Sequence, residues 1–261
     1  MSENITRSEY GSIREGLKRS QKEIDYYTRG AKKHEKLHQD FPWGIYDSTE
    51  PSFDVTFSNV IPDEYYQWGA RRPENGKISR YLNARFADKK GKLIGLEIGG
   101  PGSVLFEDLN VNAGGVLFKR SAGVTLTDLR KGLRKKFDNK AGHQVIEADI
   151  LEAGKEKEGK KIVLKWLNGE KADFIIERMQ GAISNFPSDM NYFYLTLKWW
   201  YEMLSVNGVM LVQIPEQSEY SSMLEKWFID LKQKYSQNIL IDYNGRGVMR
   251  IEKLTEGPLP R

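Results

Sequence analysis

Cysteine is absent from this 261-residue sequence, and histidine occurs only three times, as His34, His38 and His143. Without cysteine the chain can form no disulfide, thiolate zinc site or iron–sulfur cluster, and it has no cysteine nucleophile. Three histidines are also too few for a metal site built on several imidazole groups. We therefore expect no bound metal.

The sequence also lacks long apolar runs and a strong charge of one sign. Its most apolar stretches, residues 192–204 and 209–214, are interrupted or too short to span a bilayer, and the N-terminal residues lack the apolar core of a signal peptide. We therefore expect a cytoplasmic protein. Lys and Arg number 40 and Asp and Glu 36, which gives a net charge of +4. This mild excess permits an anionic substrate but does not require nucleic acid.

The character of the sequence changes near residue 91, which predicts two regions. Residues 1–91 are charged, aromatic and irregular; three prolines predict irregular structure over residues 45–75, and a short helix is expected over Ile78–Phe86. Residues 92–261 instead show short apolar runs that alternate with helical patterns. The second region is thus expected to hold the main fold, and the first to be a helical and irregular cap.

The second region predicts a parallel sheet with helices on both faces, because strand and helix patterns alternate five times. The predicted strands are Leu93–Ile98, Gly123–Thr127, Gln144–Ala148, Ala172–Ile176 and Val209–Ile214. The predicted helices are Val104–Asn112, Leu129–Phe137, Lys160–Leu167, Asn191–Leu204 and Tyr220–Lys234. Two further β-rich runs, Ile239–Tyr243 and Val248–Ile251, flank Asn244-Gly245, which is typical of a hairpin.

Candidate ligand-binding residues follow the predicted strands, because ligands of such sheets bind beyond the carboxyl ends of the strands. A glycine-rich turn, Gly99–Ser103, joins the first strand to the first helix. Asp128 follows the second strand, where it suits a helix N-cap and a ribose ligand equally well. Asp149 follows the third strand. Together with the turn, these acids indicate a nucleotide-like ligand more strongly than any one of them does alone.

These features together resemble class I S-adenosylmethionine-dependent methyltransferases over roughly residues 93–252. The resemblance implies an α/β fold with a Rossmann-like, mostly parallel seven-stranded sheet that ends in a C-terminal antiparallel hairpin. A helical N-terminal extension precedes it here. Residues 92–261 would be the S-adenosylmethionine-binding methyltransferase domain, and residues 1–91 would be an acceptor-binding extension.

By the same resemblance, the turn would pass under the amino-acid moiety of the cofactor through Gly99, Gly100 and Gly102. Glu97 would orient the turn or bind the amino group. The family pattern spaces its glycines as acid-x-Gly-x-Gly-x-Gly, and here Pro101 and Ser103 stand where later glycines are expected. A turn shortened by one residue would bring the remaining glycines back into register.

The resemblance also implies an adenosine site after the second and third strands. Asp128 would bind the ribose hydroxyl groups, Asp149 would bind the adenine amino group, and Ile150 would pack against the ring.

The segment after the fourth strand disfavours one class of methyl acceptor. Many family members that methylate amino groups of DNA, RNA or protein glutamine carry an Asn/Asp-Pro-Pro-aromatic turn there, and this chain has Glu177-Arg178-Met179-Gln180 instead. A small-molecule acceptor is therefore favoured over nucleic acid. Glu177 and Arg178 are interpreted as surface or loop ion pairs rather than as part of an acceptor pocket. His143 precedes a strand at the opposite end of the sheet, so we expect a structural role for it, and no general base is identified.

The resemblance implies an enzyme of the EC 2.1.1 type, a methyltransferase that uses S-adenosylmethionine to methylate an O or N atom of a small-molecule acceptor. One alternative is a catalytically inactive methyltransferase-like domain that binds a protein or RNA partner, which the altered glycine turn motivates. Another is an NAD(P)-dependent oxidoreductase, which the single glycine turn and the closing hairpin disfavour. The identity of the acceptor, the attacked atom and the oligomeric state stay open at this point.

Overall fold

The structure is a computed structural model that describes residues 49–62, 76–125, 142–148, 158–177, 190–213, 218–245 and 247–261. The helices in these ranges are α1 Glu50–Phe57, α2 Lys77–Arg85, α3 Ser103–Asn112, α4 Glu158–Leu167, α5 Met190–Met203 and α6 Ser218–Lys234, with a 3-10 turn at Ala87–Lys89. The strands are β1 Leu93–Ile98, β2 Phe118–Thr125, β3 His143–Glu147, β4 Ala172–Glu177, β5 Leu204–Gln213, β6 Ile239–Tyr243 and β7 Val248–Lys253.

These strands form one seven-stranded sheet in the order β3-β2-β1-β4-β5-β7-β6. The first five strands pair in parallel, whereas β7 is antiparallel to both β5 and β6. The predicted fold is thereby confirmed, including the C-terminal hairpin and the reversed last strand. None of the helices in the described ranges is long and apolar enough to cross a membrane.

Apolar side chains fill both faces of the sheet. On one face, residues of α4, α5 and α6 pack against strand residues such as Ile94 and Leu96; on the other face, α1, α2 and α3 pack against residues such as Leu93 and Phe174. Every residue of β1 and β4 is buried. A strand that is covered on both faces needs apolar residues along its whole length. Such strands can therefore be predicted from continuous apolar runs in the sequence.

The largest differences from the predictions concern three elements; the predicted helix Leu129–Phe137 lies outside the described residues. Helix α1 occupies a stretch predicted to be irregular, because Pro51 lies in its first turn, where a missing N–H group costs no hydrogen bond. Strand β2 begins at Phe118 rather than Gly123. Strand β5 begins at Leu204, directly after α5, rather than at Val209. Residues 160–167, whose pattern fits strand or helix, lie in α4 as predicted.

Two buried acids tie α1 to its neighbouring helices. Asp54 accepts hydrogen bonds from the N–H groups of Gly76, Lys77 and Ile78 at 2.8, 3.1 and 2.9 Å and so caps the start of α2. Glu50 accepts from the Ser79 N–H group at 2.6 Å and from Asn112 Nδ2 in α3 at 2.7 Å. The described part of the N-terminal region is therefore joined to the sheet domain through buried polar contacts as well as apolar ones.

Glu50 should make the stability of the protein depend on pH. Burial, and then repulsion from Asp54, raises its pKa from 4.5 to about 7. The contribution of this group is therefore full below pH 4.5 and is lost as the pH rises through about 7. Glu50→Gln keeps an uncharged hydrogen-bonding group there. We compare the free energies of unfolding of this variant and the wild type, measured in urea. The difference, variant minus wild type, should be about 2–3 kcal/mol larger at pH 8 than at pH 5. A constant difference across that range would contradict this assignment.

A buried ionic cluster joins α2 to the C-terminal hairpin. Glu252 in β7 accepts hydrogen bonds from the Tyr81 hydroxyl group at 2.6 Å and from Arg250 Nη1 at 2.7 Å, and its other oxygen lies 2.6 Å from Arg85 Nη1. Arg250 also pairs with Asp242 in β6. Glu252 and Arg250 are only 3% and 6% exposed, so water contributes little to stabilising their charges.

Candidate functional site

The glycine-rich turn leaves β1 and leads directly into α3. The N–H group of Gly99 donates to the carbonyl oxygen of Val124 at 2.8 Å, so the turn starts while the chain is still paired with β2. Gly99 and Gly102 have φ angles of +96° and +72°, a region that favours glycine. Gly102 immediately precedes α3, so the turn ends where this helix begins.

The carboxyl group of Glu97 lies against this turn. A Cβ atom added to Gly100 would be 2.8 Å from Glu97 Cδ, and one added to Gly102 would be 3.1 Å from Glu97 Oε2. Glu97 itself is 5% exposed. The turn can close over this carboxyl group because neither position carries a side chain.

Gly123 in β2 allows the same turn to lie directly on the sheet. A Cβ atom added to it would overlap the carbonyl oxygens of Pro101 and Gly100. Gly123 is paired in register with Glu97, so the two residues lie side by side on one face. A glycine inside a strand is typical of such a close approach by another stretch of backbone.

His143 lies under the turn, which corrects its predicted placement at the opposite end of the sheet. It starts β3, but β3 begins opposite Ser121, in the middle of β2, and the turn reaches back to it. His143 Nε2 is 2.7 Å from the carbonyl oxygen of Pro101, and Nδ1 is 2.8 Å from Ser121 Oγ. The imidazole is 4% exposed. The position of a strand in a sheet depends on its pairing register, which local sequence does not reveal.

The turn lies at the switch point of the sheet. Strands β2 and β3 lie on one side of β1, and β4 and β5, which come later in the chain, lie on the other side. Ligands of open α/β sheets bind in the crevice at this point. Two acids flank it, Glu97 near the end of β1 and Glu177 at the end of β4. Since Glu97 pairs with Ile176, and Ile98 with Glu177, the two acids belong to opposite faces of the sheet.

Glu177 is fully buried, so its interpretation as a surface ion pair is wrong. Its Oε2 atom accepts a hydrogen bond from the Gln213 N–H group at 3.1 Å, and Oε1 has no hydrogen-bond partner within the described residues. Burial raises the pKa of Glu177 well above its usual value, and the charge of Glu97 raises it further, whereas the Gln213 hydrogen bond lowers it. The surroundings of this carboxyl group therefore favour its uncharged form more than water does. Arg178 lies outside the described residues.

Four of the seven predicted cofactor-binding residues are brought together by the fold: Glu97, Gly99, Gly100 and Gly102. The other three, Asp128, Asp149 and Ile150, lie outside the described residues. The strand ends before them are neighbours, because Thr125 pairs with Glu147 and its carbonyl oxygen accepts from the Ala148 N–H group at 2.9 Å. The last residues of β2 and β3 therefore lie side by side.

Sequence reasoning missed three residues that shape the turn: Ser121, Gly123 and His143. Only Gly123 has a local indication in the sequence, since an isolated glycine within a strand pattern suggests close backbone contact. The hydrogen bond between His143 and Pro101 joins residues 42 positions apart and depends on the sheet order.

No protein-family model matches this sequence, and no curated protein matches it. Among solved structures it is similar to MycE, a methyltransferase of the mycinamycin biosynthetic pathway, with 18% identity and a TM-score of 0.44. That match covers 70% of this chain and 48% of MycE, so this chain spans about half the length of MycE. CalS10, an amino pentose methyltransferase from Micromonospora echinaspora, is 10% identical, with a TM-score of 0.41 and coverage of 67% and 88%. N-methyltransferase NodS from Bradyrhizobium japonicum is 12% identical, with a TM-score of 0.38 and coverage of 78% and 97%.

Proposed function

We propose that this chain is an S-adenosylmethionine-dependent methyltransferase that methylates an O or N atom of a small-molecule acceptor. One observation carries the proposal. The turn Gly99–Gly102 closes over the carboxyl group of Glu97 at the switch point of a seven-stranded sheet whose last strand is reversed. The sheet is the one that the methyltransferase resemblance implies, and the turn stands where that resemblance puts the cofactor.

The residues of the turn fit the amino-acid part of S-adenosylmethionine. The absence of side chains at Gly100 and Gly102 lets the turn lie directly against Glu97. The turn leads into the N-terminus of α3, whose dipole favours a carboxylate. Glu97 would orient the turn or bind the amino group. When bound, the cofactor supplies an activated methyl group on a sulfonium centre.

The adenosine part would lie beyond β2 and β3. Asp128 would bind the ribose hydroxyl groups, Asp149 the adenine amino group, and Ile150 would pack against the ring. The pairing of the two strand ends at Thr125 and Glu147 supports this assignment, because it brings the starting points of both acidic segments next to each other.

The acceptor would bind on the other side of the switch point, beyond β4 and β5. Glu177 borders this region with a buried carboxyl group whose Oε1 atom has no hydrogen-bond partner within the described residues. Residues 1–91 are proposed to supply the rest of the acceptor site. The absence of an Asn/Asp-Pro-Pro-aromatic turn after β4 supports a small molecule rather than a nucleic acid base.

The second candidate function is a methyltransferase-like domain that binds a protein or RNA partner without catalysis. Pro101 favours it, because proline stands where the family turn has a glycine and offers no N–H group to a ligand. Calorimetric titration of the whole chain with S-adenosylmethionine, S-adenosylhomocysteine and NADH separates the functions. Binding of the two adenosyl ligands alone is the expected result. No binding would favour the second candidate, and binding of NADH alone would indicate an oxidoreductase.

Replacing Asp128 with alanine tests the ribose assignment. We expect S-adenosylhomocysteine to bind about tenfold to a hundredfold more weakly, because hydrogen bonds from two hydroxyl groups to a charged acceptor are lost. The thermal midpoint of the unliganded protein should not change. Asp88→Ala is the matched control, since Asp88 is an exposed acid before β1, away from the carboxyl ends of the strands. Unchanged affinity in Asp128→Ala would overturn the assignment.

A further inference from the structure

A chain of two hydrogen bonds runs from β2 through β3 to the glycine-rich turn. The Pro101 carbonyl oxygen can only accept, so His143 Nε2, 2.7 Å away, must carry a proton and donate it. The other ring nitrogen, Nδ1, lies 2.8 Å from Ser121 Oγ. With Nε2 protonated, Nδ1 of the neutral ring accepts from the Ser121 hydroxyl group. Ser121 thus favours the tautomer that the contact with Pro101 requires.

The imidazole ring is held in this orientation by packing. The ring of Phe106 in α3 lies 5.8 Å from it, centroid to centroid, at an angle of 38°. A Cβ atom added to Gly102 would be 3.3 Å from His143 Cε1, so the turn itself covers the edge of the ring. His143 is therefore enclosed by the two elements that meet at the turn, the backbone of the turn and the first half of α3.

The hydrogen bond to Pro101 also sets the direction of an N–H group. The carbonyl of Pro101 and the N–H group of Gly102 belong to one peptide plane, and in a trans peptide they point in opposite directions. Because the carbonyl is bound to His143 beneath the turn, the Gly102 N–H group must point away from the sheet.

This arrangement compensates for the departure of the turn from the family pattern. Pro101 replaces a flexible glycine and removes one N–H group, so fewer donors are left to face a ligand. With fewer donors, ligand binding by the turn depends more strongly on the orientation of each remaining N–H group. The hydrogen bond from the imidazole to the Pro101 carbonyl oxygen fixes the orientation of the Gly102 N–H group.

We propose that His143 is a positioning residue for the cofactor turn, held in the required tautomer by Ser121. It acts through the Pro101–Gly102 peptide on the amino-acid part of the bound cofactor and does not touch the adenosine part. The inference rests on the proposed function, because it assumes that an adenosyl ligand with an amino-acid moiety occupies this turn.

The test compares two ligands that differ only in that moiety, S-adenosylhomocysteine and 5′-methylthioadenosine. In His143→Phe the ring still packs against Phe106 and Gly102, but both hydrogen bonds are lost. We expect its affinity for S-adenosylhomocysteine to fall about tenfold to a hundredfold, whereas its affinity for methylthioadenosine changes less than about twofold. His143→Gln can donate to Pro101 through its amide group, and it should recover most of the lost affinity.

The ratio of the two affinities separates positioning from a merely structural role. Equal weakening of the binding of both ligands, or unchanged affinity for both, would overturn the inference.

If His143→Phe does not fold, Ser121→Ala serves instead, because it removes only the hydrogen bond to Nδ1. It should also weaken the binding of S-adenosylhomocysteine more than that of methylthioadenosine. If the wild type binds methylthioadenosine but not S-adenosylhomocysteine, the positioning role is wrong while an adenosine site survives. If the wild type binds neither ligand, the proposed function itself fails.

Discussion

Replacing Gly123 with alanine is expected to weaken binding of S-adenosylmethionine at least about a hundredfold. The new Cβ atom would overlap the carbonyl oxygens of Pro101 and Gly100, which are backbone atoms and cannot rotate away as a side chain can. The turn must therefore move outward. Its N–H groups would then lose hydrogen bonds to the charged carboxylate of the ligand, each worth about 1.5–3 kcal/mol, so the loss of two of them accounts for about a hundredfold. Calorimetric titration of the variant with S-adenosylmethionine measures this loss.

Gly208→Ala is the matched control for this variant. Gly208 also lies in a strand and is also crowded, since its added Cβ atom would be 2.8 Å from Leu204 Cγ and from the Ser205 carbonyl oxygen. It lies in the first half of β5, away from the turn. We expect lower stability in both variants but a loss of affinity only in Gly123→Ala. Equal affinities in the two variants would show that the turn does not bind the cofactor.

Glu252→Leu is expected to cost about 3–5 kcal/mol of the free energy of unfolding, the largest stability effect predicted for this chain. The change leaves Arg250 buried without one of its two carboxylates, and it removes the acceptor of the Tyr81 hydroxyl group and the ion-pair partner of Arg85. Removing one partner from a buried charge cluster costs more than the cluster contributes as a whole, because the charges left behind stay desolvated. Urea unfolding at pH 7 measures the difference.

An exposed ion pair provides the control for Glu252→Leu. Lys234 and Asp230 lie one helical turn apart on α6 at 3.4 Å, and both side chains are largely exposed. We expect Asp230→Ala to leave the unfolding midpoint unchanged, because water solvates the remaining lysine. Tyr81→Phe should have an intermediate effect, since it removes one hydroxyl group and leaves both charges paired. If Glu252→Leu destabilised the protein no more than Asp230→Ala, the cluster would contribute nothing specific to the fold.

The sequence by itself determined the fold class and the place of the glycine-rich turn. Buried parallel strands such as β1 and β4 must be apolar along their whole length, and helices that cover them must be apolar at helical spacing, so the alternation of elements is encoded locally. The Asn244-Gly245 turn between β6 and β7 is likewise encoded, since Gly245 has a φ of +74°. The turn Gly99–Gly102 could be recognised for the same reason, because positive φ angles favour glycine.

The tertiary structure alone decided which distant residues support that turn. His143, Ser121 and Gly123 reach it only because β2 and β3 lie beside β1 in a particular register, and pairing register is a long-range property. The burial of Glu177 and the pKa of Glu50 also depend on what packs around them, so residue type gives no indication of either. Local sequence specifies conformation, whereas the electrostatic environment of a group and the partners of a side chain arise from contacts between segments that are far apart in the chain.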